Sequence, residues 1–292
     1  MKYLFLVALL VMFLACKNDK PEETTFENED IESVNQVYED TIQVKDFDIE
    51  SLDKSITIEL KQKQLIEKKD ESEELEELII DRRYLVEKKD YTINFKYPLI
   101  NESYKPTNRN FNEFINNYYV NITKTESDIL ESKLLCDSIE AEKFREKRFI
   151  DYKIYNVNDE LISVLFYKEN FYNGAMHPSY SFDCFNFDLN RGVFMTYEDF
   201  FNLGSEEELV GIINKTINTR IGKGDMYYDC WEVSSDDFFT SKNNFVLNNT
   251  YVEFYFDDCV ICPSYTGVYS IELPLTDLLS VLKKYDANPL VF

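Results

Sequence analysis

Phe149-Ile150-Asp151-Tyr152-Lys153-Ile154-Tyr155-Asn156-Val157, then Asn158-Asp159, then Glu160-Leu161-Ile162-Ser163-Val164-Leu165-Phe166-Tyr167 is the stretch that decides the fold. Two runs rich in aromatic and β-branched residues, patterned with period two, flank a two-residue turn and read as a β-hairpin. Ser179 to Leu189 adds a third strand, which ends at Asn190-Arg191-Gly192. Upstream, Tyr91 to Tyr97 alternates apolar with polar residues before Pro98, a half-buried strand. Phe111, Phe114, Ile115, Tyr118, Tyr119 and Ile122 recur at helical spacing, and a second helix is expected from Glu126 to about Lys147.

Downstream the mixture repeats. Thr196 and Asp199, and again Ser205 and Glu208, are spaced as capping boxes. The second pair opens a helix with Leu209, Ile212, Ile213 and Ile217 that ends near Gly222. Phe245–Leu247 and Tyr251–Phe256 bracket Asn248-Asn249-Thr250 as another hairpin, Val268–Leu273 is a further strand, and Leu275–Lys284 a closing helix. The expected fold is therefore α+β, two small subdomains, each with helices packed on an antiparallel meander.

Composition bounds the chemistry. The chain has 292 residues and a net charge of −24, with 31 Lys+Arg against 55 Asp+Glu. Such acidity argues against nucleic acid as a partner. A single histidine, His177, excludes zinc motifs that need two, and no glycine-rich phosphate cradle is present, so no cofactor is implied. The charge is shared between unlike parts. Residues 17–90 are a charged stretch, whereas residues 91–292 carry most of the aromatic side chains.

Lys2 followed by an apolar run from Tyr3 to Leu14 is too short to span a bilayer and reads as a signal peptide, residues 1–15. Phe13-Leu14-Ala15-Cys16 resembles the lipobox of bacterial lipoproteins, which implies acylation of Cys16 and attachment of the exported chain to a lipid bilayer. Residues 16–90 then form a lipid-anchored acidic linker, partly disordered: Pro21 to Glu50 holds 11 acidic residues against Lys45 alone. Ser55 to Leu60 alternates like a strand inside it. The expected location is the cell envelope, on the outer membrane's periplasmic or surface-exposed face.

The order of short motifs after residue 90 resembles one family. Gly174-Ala175-Met176-His177-Pro178 is one residue longer than the G-A-H-P signature of exported domains of unknown function found in the anti-sigma factor RsiV and beside the PdaC peptidoglycan deacetylase. Tyr97-Pro98, a helix containing Asn110, Asp188-Leu189 with Gly192, Thr196 with Asp199 and Phe200-Phe201, Phe245 with Leu247, and Ile271 with Pro274 follow the family order. Pro263-Ser264-Tyr265-Thr266-Gly267 stands in place of its P-Y-x-G loop. The resemblance divides the chain at 91–178, PdaC-associated-like, and 179–292, RsiV C-terminal-like. It implies a binding role, with a lysozyme-like partner meeting Gly174, Ala175, His177, Pro178, Pro263, Tyr265 and Gly267.

Other constellations are less specific. His177 reads as a hydrogen-bonded turn residue; a hydrolase would need it as general base. Cys259-Val260-Ile261-Cys262 is a C-x-x-C, but it follows a strand rather than opening a helix, so disulfide or buried-thiol chemistry is expected before redox catalysis or metal binding. Pairing among Cys136, Cys184, Cys230, Cys259 and Cys262 stays open. Neighbouring carboxylates such as Asp236-Asp237 are expected by chance in so acidic a chain. Met226-Tyr227-Tyr228-Asp229-Cys230-Trp231 is the alternative site: such runs usually pack in a core, but an exposed Tyr227, Tyr228 and Trp231 would suit a glycan. The expectation is a non-enzymatic, lipid-anchored binding protein for a basic cell-wall-active protein such as lysozyme, with peptidoglycan as the alternative ligand and a hydrolase third.

Overall fold

A computed structural model describes residues 77–136 and 138–283. Cys16, the signal sequence and the expected strand Ser55–Leu60 lie outside them. The architecture is α+β, with two sheets and helices on the outer faces. The first sheet has six strands in sequence order: β1 (Ile79–Glu87), β2 (Tyr91–Ile100), β3 (Glu146–Val157), β4 (Leu161–Phe171), β5 (Ser179–Asp188) and β6 (Val193–Met195). All neighbours run antiparallel except β2 and β3. Parallel partners need a crossover, and this one is made by α1 (Asn108–Phe114) with a π-helical turn (Ile115–Val120), α2 (Ile122–Leu134) and α3 (Ser138–Lys143). The second sheet is β7 (Phe245–Leu247), β8 (Tyr251–Tyr255) and β9 (Ser270–Pro274). Short helix α4 (Tyr197–Phe200), long helix α5 (Glu206–Lys223) and α6 (Ser235–Ser241) accompany it.

The Asn158-Asp159 hairpin forms as the sequence suggests: the Asn158 side chain accepts from the Glu160 and Leu161 amides at 2.9 and 2.7 Å. Strand β4 departs from simple alternation, because Leu161 to Tyr167 is buried on both faces. Ile162, Val164 and Phe166 join the core beneath α1 and α2, while Leu165 and Tyr167 face the second sheet. A central strand covered on both sides needs a continuous apolar run. The two sheets are tied by side chains that satisfy backbone groups. Asn244 accepts from the Cys184 amide and donates to the Phe182 and Tyr255 carbonyls, at 2.8 to 3.1 Å. Tyr155 donates to Glu253 at 2.8 Å inside the seam.

Several motif positions prove to be folding devices. Asn112 of α1 bonds both the amide and the carbonyl of Ile100, pinning the helix to the end of β2. Asp188 accepts from the amides of Asn190 and Arg191 at 2.8 and 2.7 Å and closes the turn to Gly192. Gly192 has φ +68°, and a Cβ there would stand 2.6 Å from Cβ of Thr107. Only glycine fits. Thr196 and Asp199 make the expected capping box at α4.

The first sheet runs on through residues 178 and 179, where β4 turns back into β5, and reaches Met195. Some local expectations need correction. β1 lies within the stretch that composition gave to the linker; its pattern is diluted by Asp81-Arg82-Arg83 because it is an edge strand with an exposed face. The second helix is shorter than its apolar residues suggested. Ile129 is buried, whereas Leu130, Leu134 and Leu135 are exposed, and the chain is already extended at Glu146. Ser205 precedes α5 but does not cap it; its hydroxyl bonds the Asn202 carbonyl instead. That helix passes Gly222 and stops at Gly224, φ +78°. The expected closing helix is a 3-10 turn, Leu275–Asp277, followed by tight turns that bury Leu278 and Val281. No helix among the described residues is long and apolar enough to cross a membrane.

Candidate functional site

The site grows from one covalent bond. Cys230 and Cys262 form a disulfide across 32 residues, with Cα atoms 4.1 Å apart. It joins the aromatic stretch Met226–Trp231 to the loop after the C-x-x-C, two regions that the sequence presents as alternative sites. The Trp231 amide also donates to the Ile261 carbonyl at 2.9 Å. Pairing inside the C-x-x-C is thereby excluded: Cys259 is an exposed free thiol, and Cys136 and Cys184 are free as well.

Anchors and exposed rings alternate along the first loop. Met226, Cys230 and Val233 are buried in the core of the second sheet. Between them Tyr227, Tyr228 and Trp231 are 42, 89 and 43% exposed. The expectation that this run packs in the core is corrected. Its buried share is carried by Met226 and Cys230, because the disulfide replaces aromatic packing as the tether. Asn214 of α5 holds Val233 through both backbone groups, at 3.0 and 2.9 Å.

The second loop is locally closed. Ser264 donates to Asp258 at 2.7 Å and lies 3.0 Å from the Cys259 thiol. Ser264–Thr266 makes a 3-10 turn that Gly267 ends at φ +59°. Thr266 and Gly267 are buried, Pro263 is half-buried, and Tyr265 is 38% exposed. Asp225, Glu232, Asp257 and Asp258 are exposed on the same two loops. The disulfide thus joins two loops that carry exposed aromatic rings and exposed carboxylates. Their electrostatics suit a cationic partner.

The Gly174–Pro178 turn is the tip of the β4–β5 hairpin on the other sheet. Gly174 has φ +78°, and the Ala175 amide donates to the Tyr172 carbonyl at 3.1 Å. His177 is exposed and makes no hydrogen bond among the described residues, so it is not the bonded turn residue that the sequence suggested. The turn and Pro263–Gly267 belong to different sheets. Between the sheets Tyr180 stacks on Tyr167, which meets Phe182, and Phe182 lies 5.0 Å from Tyr269. The Tyr269 hydroxyl is pushed up to about 12 by burial, with Asp258 and Tyr180 adding to it. Among the described residues no cluster of His, Cys, Asp and Glu is arranged to hold a metal ion.

No family model matches the chain, and no curated protein does. Among solved structures it is similar to a DUF3298 family protein from Pseudomonas aeruginosa PAO1, with TM-score 0.49, 13% identity, and 70% of this chain and 93% of that one covered. It is likewise similar to a DUF3298 family member from Bacteroides fragilis NCTC 9343, with TM-score 0.49, 15% identity, and 70 and 92% covered.

Proposed function

We propose that the protein is a non-enzymatic, lipid-anchored binding protein of the cell envelope, whose folded domain captures a basic cell-wall-active protein of the lysozyme kind. The observation that carries this reading is the Cys230–Cys262 bond, which fixes exposed Tyr228 and Trp231 on the loop beside Tyr265. Interfaces draw most of their affinity from a few aromatic anchors on rigid supports, while charge around them sets encounter rate and orientation. The lipobox-like Cys16 and the acidic linker support attachment to a membrane. The resemblance in motif order to RsiV-like domains supports the choice of partner.

The test is titration of the exported chain with several basic lysozymes at low and high salt. Binding should weaken as salt rises and fall by about tenfold or more in Trp231→Ala. No binding to any of them sinks the reading. Peptidoglycan is the second reading, favoured by Tyr228, the most open ring of the loop. Sedimentation with purified cell wall, lost in the double variant Tyr228→Ala/Trp231→Ala, would select it instead.

A further inference from the structure

On the helix-covered face of the six-stranded sheet, α2 and the strands leave a cavity of about 250 Å³. The register explains its lining. Phe95, Ile150 and Lys168 are cross-strand neighbours on β2, β3 and β4, and Arg148 pairs with Asn170 one step along. These are the positions that follow Ile162, Val164 and Phe166 on the helix-facing side, so the core continues as a floor of Phe95 and Ile150 and then turns polar. Helix α2 roofs it with Thr125, Asp128 and Ser132, small or polar residues that do not fill the gap.

Two cations line this cavity in a strongly acidic chain, and they are not equivalent. Arg148 is committed: it donates to Glu146 and to the Lys147 and Phe171 carbonyls, and lies 4.2 Å over the Tyr172 ring. Asp128 is committed to Lys124 at 2.5 Å. Lys168 is different. Its side chain is three-quarters buried, and its ammonium sits 3.7 Å over the Tyr119 ring. The nearest carboxylate oxygen, on Asp183, is 3.6 Å away and already accepts from Tyr119 at 2.8 Å and Ser181 at 3.4 Å. Among the described residues Lys168 has this long ion pair with Asp183 and the Tyr119 ring as its only partners, and the Asn170 carboxamide beside it makes no side-chain hydrogen bond. Burial pushes the Lys168 ammonium below the ordinary lysine range in spite of Asp183. A half-buried ammonium held by a long ion pair to a carboxylate that other donors share gains from a charged acceptor at full hydrogen-bond distance.

We propose that this cavity binds a small organic carboxylate, received by Lys168 and Asn170, with its body against the exposed Tyr172. The volume is a little under the roughly 300–1,000 Å³ usual for drug-sized ligands, which suits one sugar ring or a dipeptide. A bare inorganic anion leaves the aromatic wall unused. The same chemistry is carried by a carboxylated amino sugar and by the C-terminus of a short peptide, and matched probes separate them.

The experiment is calorimetric titration of the full exported chain with two pairs: N-acetylmuramic acid against N-acetylglucosamine, and N-acetyl-alanyl-alanine against its C-terminal amide. At least one carboxylate should bind, its neutral counterpart about tenfold or more weakly, and Lys168→Met should lose about the same factor. Circular dichroism and a melting curve confirm that Lys168→Met is folded at the titration temperature, so that lost binding is not lost structure. Trp231→Ala, at the other site, should leave this binding unchanged, so failure here is distinguishable from failure of the envelope-partner reading. Absence of binding by both carboxylates, equal binding of the neutral probes, or unimpaired binding by a folded Lys168→Met overturns the proposal.

Discussion

Removing the disulfide with the double substitution Cys230→Ser/Cys262→Ser tests the architecture of the candidate site most directly. The bond closes a separation of 32 residues. Chain-entropy arithmetic for a loop of that length gives about 3.7 kcal/mol at 25 °C. In a folded part of roughly 200 residues this lowers the melting temperature by about 7–15 °C. Both cysteines must go, because Cys259 is a free thiol three residues before Cys262 and would offer a substitute partner in a single variant. Urea unfolding of parent and variant, with and without a reductant, measures the difference: reduction should destabilise the parent by a similar amount and leave the variant unmoved. Thiol titration in denaturant should find three of the five cysteines from Cys136 to Cys262 free. Five free thiols, or a stability change under about 1 kcal/mol, would refute the claim that this bond holds the two loops together.

Two further substitutions probe the fold beneath the sites. Gly192→Ala should cost about 2–4 kcal/mol in chemical unfolding, from left-handed backbone strain plus the collision with Thr107. Gly174→Ala, at a similar φ but in open space, should cost about 1–2 kcal/mol, so equal losses would remove the steric argument. Lys242→Met should cost about 1–3 kcal/mol at neutral pH, since the buried ammonium holds Glu198 at 2.5 Å and Glu206 at 2.8 Å. Its bonds keep both carboxyls below the ordinary glutamate range, so their stabilisation is full above that range and disappears as pH falls through the lowered values. The gap between parent and Lys242→Met should therefore close in acid; a gap that is constant with pH would contradict the pairing.

Local order was legible wherever one residue's neighbours in sequence are also its neighbours in space. The Asn158-Asp159 hairpin, the Thr196–Asp199 capping box, the Phe245–Tyr255 hairpin and the buried stripe Leu209, Ile213 and Ile217 all follow from short-range spacing. The candidate site was legible only in pieces. Tyr227 to Trp231 and Pro263 to Gly267 were each noticeable, but as rivals. Nothing in their spacing says that Cys230 selects Cys262 over Cys259, a choice made when the second sheet brings two distant loops together.

The same limit applied to the cavity. The strand pattern read from the sequence ends at Tyr167, whereas the strand itself runs on through Lys168 and Asn170 to Phe171. What the sequence by itself determined was the α+β class, the hairpins and caps, and an acidic chain with its aromatics gathered after residue 90. What only the tertiary structure decided was which loops the disulfide joins, that β4 is covered on both faces, and that an ammonium ends three-quarters buried beneath α2. Periodicity records which side of its own strand or helix a residue occupies. It carries no record of what the rest of the chain later places against that side.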